Sequence, residues 1–186
     1  MISDLSSDII LIGPVRTGKS TIGKLLADQL ALPQVSLDDL RWKYYAEIGY
    51  DPQLAQKYRR QGGFLALVLY WNLFAAHAVE RLLIDHHNCV FDFGAGIYES
   101  RESFARVQQA LKAYRNVILL LPSPDMEESL QILTARDTQP PSDLNFDFNR
   151  HFLGHHTYYD LAKFTVYTKG RTPEETCREI LGWGVV

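Results

Sequence analysis

A three-layer α/β/α fold, with a parallel β-sheet covered by helices on both faces, is what this sequence predicts. Short apolar runs rich in β-branched residues alternate along the chain with longer segments of helical periodicity. The first run feeds a glycine-framed loop, Gly13-Pro14-Val15-Arg16-Thr17-Gly18-Lys19-Ser20, which leads into the first helical segment. No internal repeat and no long linker interrupts the alternation, so residues 1–186 are expected to form one domain.

Asp8-Ile9-Ile10-Leu11-Ile12 suits a strand buried on both faces. After the loop, Ile22, Leu25, Leu26 and Leu30 recur at helical spacing, with Lys24, Asp28 and Gln29 between them. Pro33 ends that pattern, and Gln34-Val35-Ser36 is the second candidate strand. Asp38-Asp39-Leu40-Arg41 opens a helix with carboxylates in its first turn, where the helix dipole favours them. Gly49 and Asp51-Pro52 mark a new start, and Gly62-Gly63 a break or bend. From Phe64 to about Ile84 the chain is apolar on almost every side, as in a central buried helix. Cys89-Val90-Phe91 is the third strand, ending at Asp92 and leading into Phe93-Gly94-Ala95-Gly96. A helix around Ser100 to Tyr114 places Phe104, Val107 and Leu111 on one face. Asn116 to Leu121 is the clearest strand, closed by Pro122 and Pro124 and followed by a helix from Asp125 to Arg136. The stretch from Asp137 to Asn149, rich in Pro, Asp, Asn and Ser, reads as a lid-like loop at about 137–150. A helix from His151 to Ala162, a strand from Phe164 to Tyr167 and a helix from Pro173 to Leu181 complete the chain.

Of the 186 residues 46% are hydrophobic, enough for a sizeable core, and the formal net charge is −3. That charge argues against a surface built mainly to hold nucleic acid, while leaving room for a polynucleotide end in a small pocket. Cys89 and Cys177 fall in a predicted strand and a predicted helix and read as reduced packing residues. Met1-Ile2-Ser3-Asp4 is not a basic region leading into an apolar stretch, so no signal peptide is expected. Phe64 to Val79, the most apolar segment, is shorter than a membrane span and contains Asn72 and His77. No membrane span and a cytoplasmic location are expected. The composition leaves the oligomeric state open.

The loop fits G-x-x-x-x-G-K-[ST], in which backbone N–H groups surround a di- or triphosphate. With glycine at about 7% of residues, chance gives this pattern in roughly one chain in two hundred of this length. ATP is therefore the expected ligand. Gly13 and Gly18 allow close backbone approach, and Pro14, Val15, Arg16 and Thr17 line the cradle between them. Lys19 would reach the β- and γ-phosphates and the Ser20 hydroxyl would coordinate Mg²⁺. Thr21 lies in the first turn of a helix whose N-terminus adds partial positive charge.

Asp38 follows the second strand at the sheet edge that carries the loop. A carboxylate there would accept the acceptor's proton or order Mg²⁺ waters, or would cap a helix with Asp39. Asp92 ends the third strand, where it would support Mg²⁺ or begin a turn. Gly94 and Gly96 would let a substrate approach backbone N–H groups, or would make a tight turn. Arg41 would bind an anionic acceptor or a surface carboxylate. Arg136 and Arg150 flank the lid-like loop and would supply charge to the transferring phosphoryl group, or sit as solvated helix ends. His151, His155 and His156 lack acidic or cysteine partners nearby and read as a solvated helix rather than a metal site.

The order of these pieces resembles the shikimate kinase and nucleotide kinase branch of P-loop proteins, over nearly the whole chain. Gly13 to Leu30 carries the closest match. The next is Tyr158-Tyr159-Asp160-Leu161-Ala162, before a strand and Thr168-Lys169-Gly170-Arg171-Thr172-Pro173. In the family that turn lies against the adenine, which implies a nucleotide-side place for Arg171. Asn116 to Asp137 resembles the family's fourth strand and the helix into the lid, which implies that Arg136 touches the nucleotide base. Phe93-Gly94-Ala95-Gly96 resembles a glycine triplet, with Ala95 a departure. The family implies a five-stranded parallel sheet in order 2-3-1-4-5 and an acceptor-binding helical region at about 38–86. Trp42, Tyr44, Tyr45, Phe64, Tyr70 and Trp71 are concentrated there, mostly as core packing.

The residues that grip shikimate in the family are absent. Its Asp-x-Asp aligns with Ser36-Leu37-Asp38, one arginine position is Leu65 and another is Gly154. Bidentate recognition of a carboxylate by arginine is hard to replace, so the acceptor is expected to differ from shikimate. Asp38-Asp39-Leu40-Arg41 also resembles the Asp-Asp-x-Arg of polynucleotide-kinase-like and zeta-toxin-like P-loop kinases. There the first aspartate activates the acceptor hydroxyl and the arginine holds its phosphate or charged tail. Together the resemblances imply a small-molecule kinase using ATP and Mg²⁺, with Lys19, Asp38 and Arg136 catalytic. A kinase of the polynucleotide or zeta-toxin kind, or an ATP-binding regulatory module with little transfer, are the alternatives.

Overall fold

The computed structural model describes residues 7–95, 98, 100–137, 146–155 and 157–184. Gly96, His156 and most of the predicted lid-like loop (positions 138–145) lie outside the described residues. In chain order the elements are β1 (Ile9–Ile12), α1 (Lys19–Leu30), β2 (Gln34–Ser36), α2 (Leu37–Glu47), α3 (Pro52–Asp85), β3 (Val90–Asp92) and α4 (Arg101–Leu111). They continue with β4 (Asn116–Leu121), α5 (Met126–Ala135), α6 (Phe148–Gly154), α7 (Thr157–Leu161), β5 (Phe164–Tyr167) and α8 (Pro173–Gly182). The five strands form one parallel sheet in the order β2-β3-β1-β4-β5.

Alternation along each strand divides the core in two. Ile10, Ile12, Phe91, Phe93, Val117, Leu119 and Leu121 face one side, packed with residues of α2, α3 and α4. Ile9, Leu11, Val90, Ile118, Leu120 and Val166 face the other, against Ile22 and Leu26 of α1 and Cys177 and Ile180 of α8. Both faces are buried, which is why these strands read as continuous apolar runs. Cys89 and Cys177 are free, buried thiols.

Local signals set the element boundaries. The Ser36 side chain caps α2 by accepting the Asp39 N–H, and Asp51 caps α3 through Gln53 and Leu54. Thr172 and Glu175 form a reciprocal capping box at α8. At α3 the sequence reading placed a bend at Gly62-Gly63 and a buried helix after it. The structure has one 34-residue element broken at Gly62 and Gly63, the latter with φ 69° and ψ −161°. It is long and apolar enough to cross a membrane, yet half of its most apolar window is buried inside the fold. That burial is against the sheet cluster, the place of a core helix.

The largest departure from expectation lies at 148–161. The predicted single helix from His151 to Ala162 is two short ones. α6 begins earlier because Asp147 caps it through the Arg150 N–H at 2.9 Å. It ends at His155, whose backbone is extended (φ −95°, ψ 119°).

Candidate active site

β1 lies at the centre of the sheet and delivers the glycine-framed loop to its C-terminal edge, between β3 and β4. A Cβ on Gly13 would stand 2.5 Å from the Leu120 carbonyl oxygen, so only glycine lets the loop leave the sheet there. Thr17 Oγ1 donates to the Pro14 carbonyl (3.1 Å). Lys19 Nζ donates to the carbonyls of Gly13 (2.9 Å) and Pro14 (2.8 Å), curling inside the loop. Burial holds the Lys19 ammonium below the ordinary lysine pKa, opposed by the negative charges of Asp92 and Asp38. α1 has no acidic residue in its first turn, so its dipole is not neutralised locally. A buried cation and an unopposed helix N-terminus together favour a polyanion.

Register brings the acidic corner together. Asp92 pairs with Leu11 of β1 on one side and Ser36 of β2 on the other. Its Oδ2 accepts the Ser20 hydroxyl at 2.6 Å and its Oδ1 accepts the Gly94 N–H at 2.9 Å. Ser20, Gln34, Ser36, Asp38, Asp39 and Asp92 line a cleft of about 340 Å³. Gln34 Nε2 donates to the Ser20 carbonyl (3.0 Å), fastening the start of α1 to β2. Hydroxyl and carboxylate oxygens in an open cleft suit a hard cation such as Mg²⁺. Among the described residues no group of three or more His, Cys, Asp or Glu could by itself hold a metal ion.

Because Ser36 caps α2, Asp38 is left for another task. Its Oδ1 meets Arg41 Nη1 at 3.1 Å, with the Asp38 side chain 54% exposed to the cleft. The Arg41 guanidinium lies over Trp42 at 4.5 Å and Trp71 at 5.2 Å, which fixes it beside the carboxylate. Arg41 Nε is buried without a hydrogen-bond partner. Around this pair Trp42, Tyr45, Tyr50, Tyr70, Trp71 and Phe74 form a continuous ring network. Burial is the main cause pushing the Tyr45 phenol up to about 12, so it stays neutral.

Gly94 closes the corner. Its φ is 64°, and a Cβ there would come within 2.6 Å of Asp38 Oδ2. Gly94→Ala is therefore expected to displace the Asp38 carboxylate. The left-handed backbone would add about 1–2 kcal/mol of strain. Thermal unfolding should shift down by roughly 2–8 °C, while any ATP-dependent transfer falls far more than stability does. Equal transfer by the variant and the wild type would contradict this reading of the corner.

No known protein-family profile matches the chain. Individual proteins do. The chain is 29% identical over 185 residues to the shikimate kinase of Enterococcus faecalis, an alignment covering 93% of this chain and 95% of that protein. It is 29% identical over 180 residues to the shikimate kinase of Streptomyces coelicolor, covering 93% and 92%. The fold superposes on shikimate kinase from Acinetobacter baumannii in complex with shikimate with a TM-score of 0.63 at 21% identity, covering 96% and 92% of the two chains. Over nearly its whole length the chain is similar to shikimate kinases, and it shares their fold. At lower likeness the fold also matches YorR of Bacillus subtilis, solved in complex with phosphorylated GDP, with a TM-score of 0.51 at 17% identity, covering 95% of each chain.

Set against that group, the remaining sites divide. Gly13 to Thr21, Asp38, Arg41, Asp92 and Gly94 are brought to one edge of the sheet by β1, β2 and β3. Arg136, the residue capping the C-terminus of α5, donates from its guanidinium to the Arg16 carbonyl (3.3 Å), so it sits against the glycine-framed loop. Arg150 is paired through both Nη atoms with Glu127 of α5 (2.7 and 3.1 Å). Arg171 is paired with Glu179 on α8. Its turn lies at the C-terminal edge of the sheet, where the Thr168 N–H bonds to the Leu121 carbonyl at 2.8 Å. Leu65 is exposed on α3 and Gly154 is exposed at the end of α6. His151 and His155 lie against each other with ring centroids 4.4 Å apart and the rings tilted by 46°.

Sequence reasoning missed two contacts. Asn149 Oδ1 accepts the Val15 N–H at 2.9 Å, and Asp137 pairs with Arg16 at 2.7 Å. Both residues bound the polar stretch that read as a loop, and nothing in their local pattern signals a partner more than a hundred positions away.

Proposed function

We propose that this chain transfers the γ-phosphoryl group of ATP to a hydroxyl or phosphate oxygen of a small-molecule acceptor other than shikimate. The observation that supports this most is the convergence of Lys19, the Ser20–Asp92 pair and the Asp38–Arg41 pair on one cleft. Backbone N–H groups from Gly13 to Ser20 would cradle the phosphates, and Lys19 would exchange its carbonyl partners for phosphate oxygens. Ser20 and Asp92 would hold Mg²⁺ and its waters, and the ion when bound supplies charge neutralisation between the β- and γ-phosphates. For a hydroxyl acceptor, Asp38 would take the proton as the oxygen attacks phosphorus. The bond to the β–γ bridging oxygen breaks and ADP leaves.

Arg41, packed against two indoles beside Asp38, would bind an anionic group on the acceptor. Its position, together with Leu65 and Gly154 where the family carries arginines, supports an acceptor unlike shikimate. The acceptor region would be α2 and α3, about residues 38–86, within one domain spanning 1–186. Arg136 would act from the nucleotide side, and Arg171 would join it only after leaving Glu179. The three carboxylates lining the cleft favour a small acceptor over a polynucleotide end. Two buried free thiols accord with a cytoplasmic place for the enzyme.

The test is an acceptor panel of sugars, nucleosides, nucleotides, shikimate and oligonucleotide ends, run with γ-labelled ATP and Mg²⁺. Label should move to a small hydroxylated or phosphorylated compound. Stoichiometric ATP binding with no transfer to any acceptor would instead mark a regulatory nucleotide-binding module.

A further inference from the structure

Arg16 sits at the crown of the phosphate loop with a left-handed backbone, φ 68°, where a side chain is disfavoured. It is held there from outside the loop. Its Nη2 meets Asp137 Oδ1 at 2.7 Å and its Nη1 donates to the Arg136 carbonyl at 3.4 Å. Arg136 answers with its own Nη1 to the Arg16 carbonyl at 3.3 Å. The preceding residue, Val15, gives its N–H to Asn149 Oδ1 at 2.9 Å. Two adjacent loop residues are thus tied both to the C-terminal end of α5 and to the first turn of α6.

Each tie is modest by itself. The Arg16–Asp137 pair leaves 29% and 39% of its side chains exposed, where a lone ion pair contributes little. Their convergence on two residues is what matters. Inside the loop the described bonds run from Thr17 and Lys19 to the carbonyls of Gly13 and Pro14, which leaves Val15 and Arg16 to external partners.

We infer that Arg16 is a positioning residue: by fastening the crown to Asp137 and Arg136, with Asn149 fastening Val15, it sets the loop's N–H groups before a triphosphate arrives. The inference rests on the nucleotide-binding reading of the loop. It makes nucleotide affinity depend on Asp137 and Asn149, which are not in the phosphate loop. By linkage it also makes nucleotide binding tighten the junction of α5 and α6 with the loop.

The experiment is a double-mutant cycle on the full chain with Arg16→Gly, Asp137→Asn, the pair together, and the swapped pair Arg16→Asp with Asp137→Arg. Aspartate tolerates the left-handed region better than most residues, so the swap is sterically fair. Three readouts are taken: affinity for a non-hydrolysable ATP analogue with Mg²⁺, amide hydrogen exchange at 15–19 without nucleotide, and thermal unfolding. Arg16→Gly removes backbone strain, so its unfolding temperature should hold or rise. Its affinity should nevertheless drop roughly tenfold, the scale of coupled networks, and its loop amides should exchange faster. Asp137→Asn should do the same in smaller measure, the double variant should be no worse than Arg16→Gly, and the swap should recover most of the affinity.

Unchanged affinity and exchange in Arg16→Gly would overturn the inference, as would fully additive effects of the two single changes. Tighter binding would overturn it too, since the ties would then oppose the nucleotide. If the wild-type chain fails to bind the analogue, the nucleotide reading itself falls. The exchange data, which need no ligand, then still decide whether the ties order the loop.

Discussion

Lys19→Ala is expected to abolish ATP-dependent transfer while leaving the fold intact. Lys19 is 6% exposed, and among the described residues its ammonium hydrogen-bonds to the loop's own carbonyls of Gly13 and Pro14. It is therefore a cation kept out of water with no anion in direct contact, the situation that a triphosphate relieves. Burial already disfavours its charge, with Asp92 and Asp38 the main forces retaining it. Removing it takes away two hydrogen bonds, each worth about 1 kcal/mol, but also a desolvated charge. Global stability should therefore change little. Transfer should fall by roughly 10²–10³-fold or more, as when a preorganised charge-stabilising donor is lost. Circular dichroism and unfolding temperature check the first half, and labelled-ATP transfer the second. A variant that keeps wild-type transfer would remove Lys19 from the mechanism.

Asp38→Asn should separate chemistry from nucleotide binding. Asp38 does not cap α2, because Ser36 does, and its carboxylate faces Gly94 and Arg41 at the cleft. As a general base it would contribute roughly 10²–10⁴-fold, all of it in kcat. Affinity for the ATP analogue should stay near wild type, since the phosphates are held by the loop across the cleft. Asparagine keeps the shape and can still accept a bond from Arg41, so a fall in kcat would not be a packing effect. If kcat holds and only stability moves, Asp38 is a structural partner of Arg41 and the base lies elsewhere.

The donor half of this site was legible because its signals are local. Gly13 to Ser20 combines glycines at positions of close approach with a lysine and a hydroxyl at fixed spacing, and β1 and α1 follow from the apolar pattern on either side. The strand β4 fell where the apolar run lies, since a strand buried on both faces carries few polar residues to blur it. The edge strands β2 and β5, only partly buried, were marked by their β-branched residues and flanking breaks. α6 was harder. Its N-cap Asp147 sits in a polar stretch that resembles loop, and its end at His155 depends on backbone shape rather than composition. The ties of Arg16 and Val15 to Asp137 and Asn149 are tertiary contacts between exposed polar residues, which carry no periodicity. From sequence alone Arg41 reads equally as an acceptor-binding or a surface arginine, and its packing against Trp42 and Trp71 beside Asp38 depends on tertiary contacts that no local pattern carries.

In the proposed function one cleft joins a nucleotide donor to a small-molecule acceptor at Asp38. It is tested most directly by running the acceptor panel with γ-labelled ATP on the wild type and Asp38→Asn side by side. The wild type should place label on a small hydroxylated or phosphorylated acceptor, and Asp38→Asn should lose nearly all of that label at saturating ATP. Transfer that survives the Asp38 change, or label released only as inorganic phosphate whatever acceptor is supplied, would contradict it.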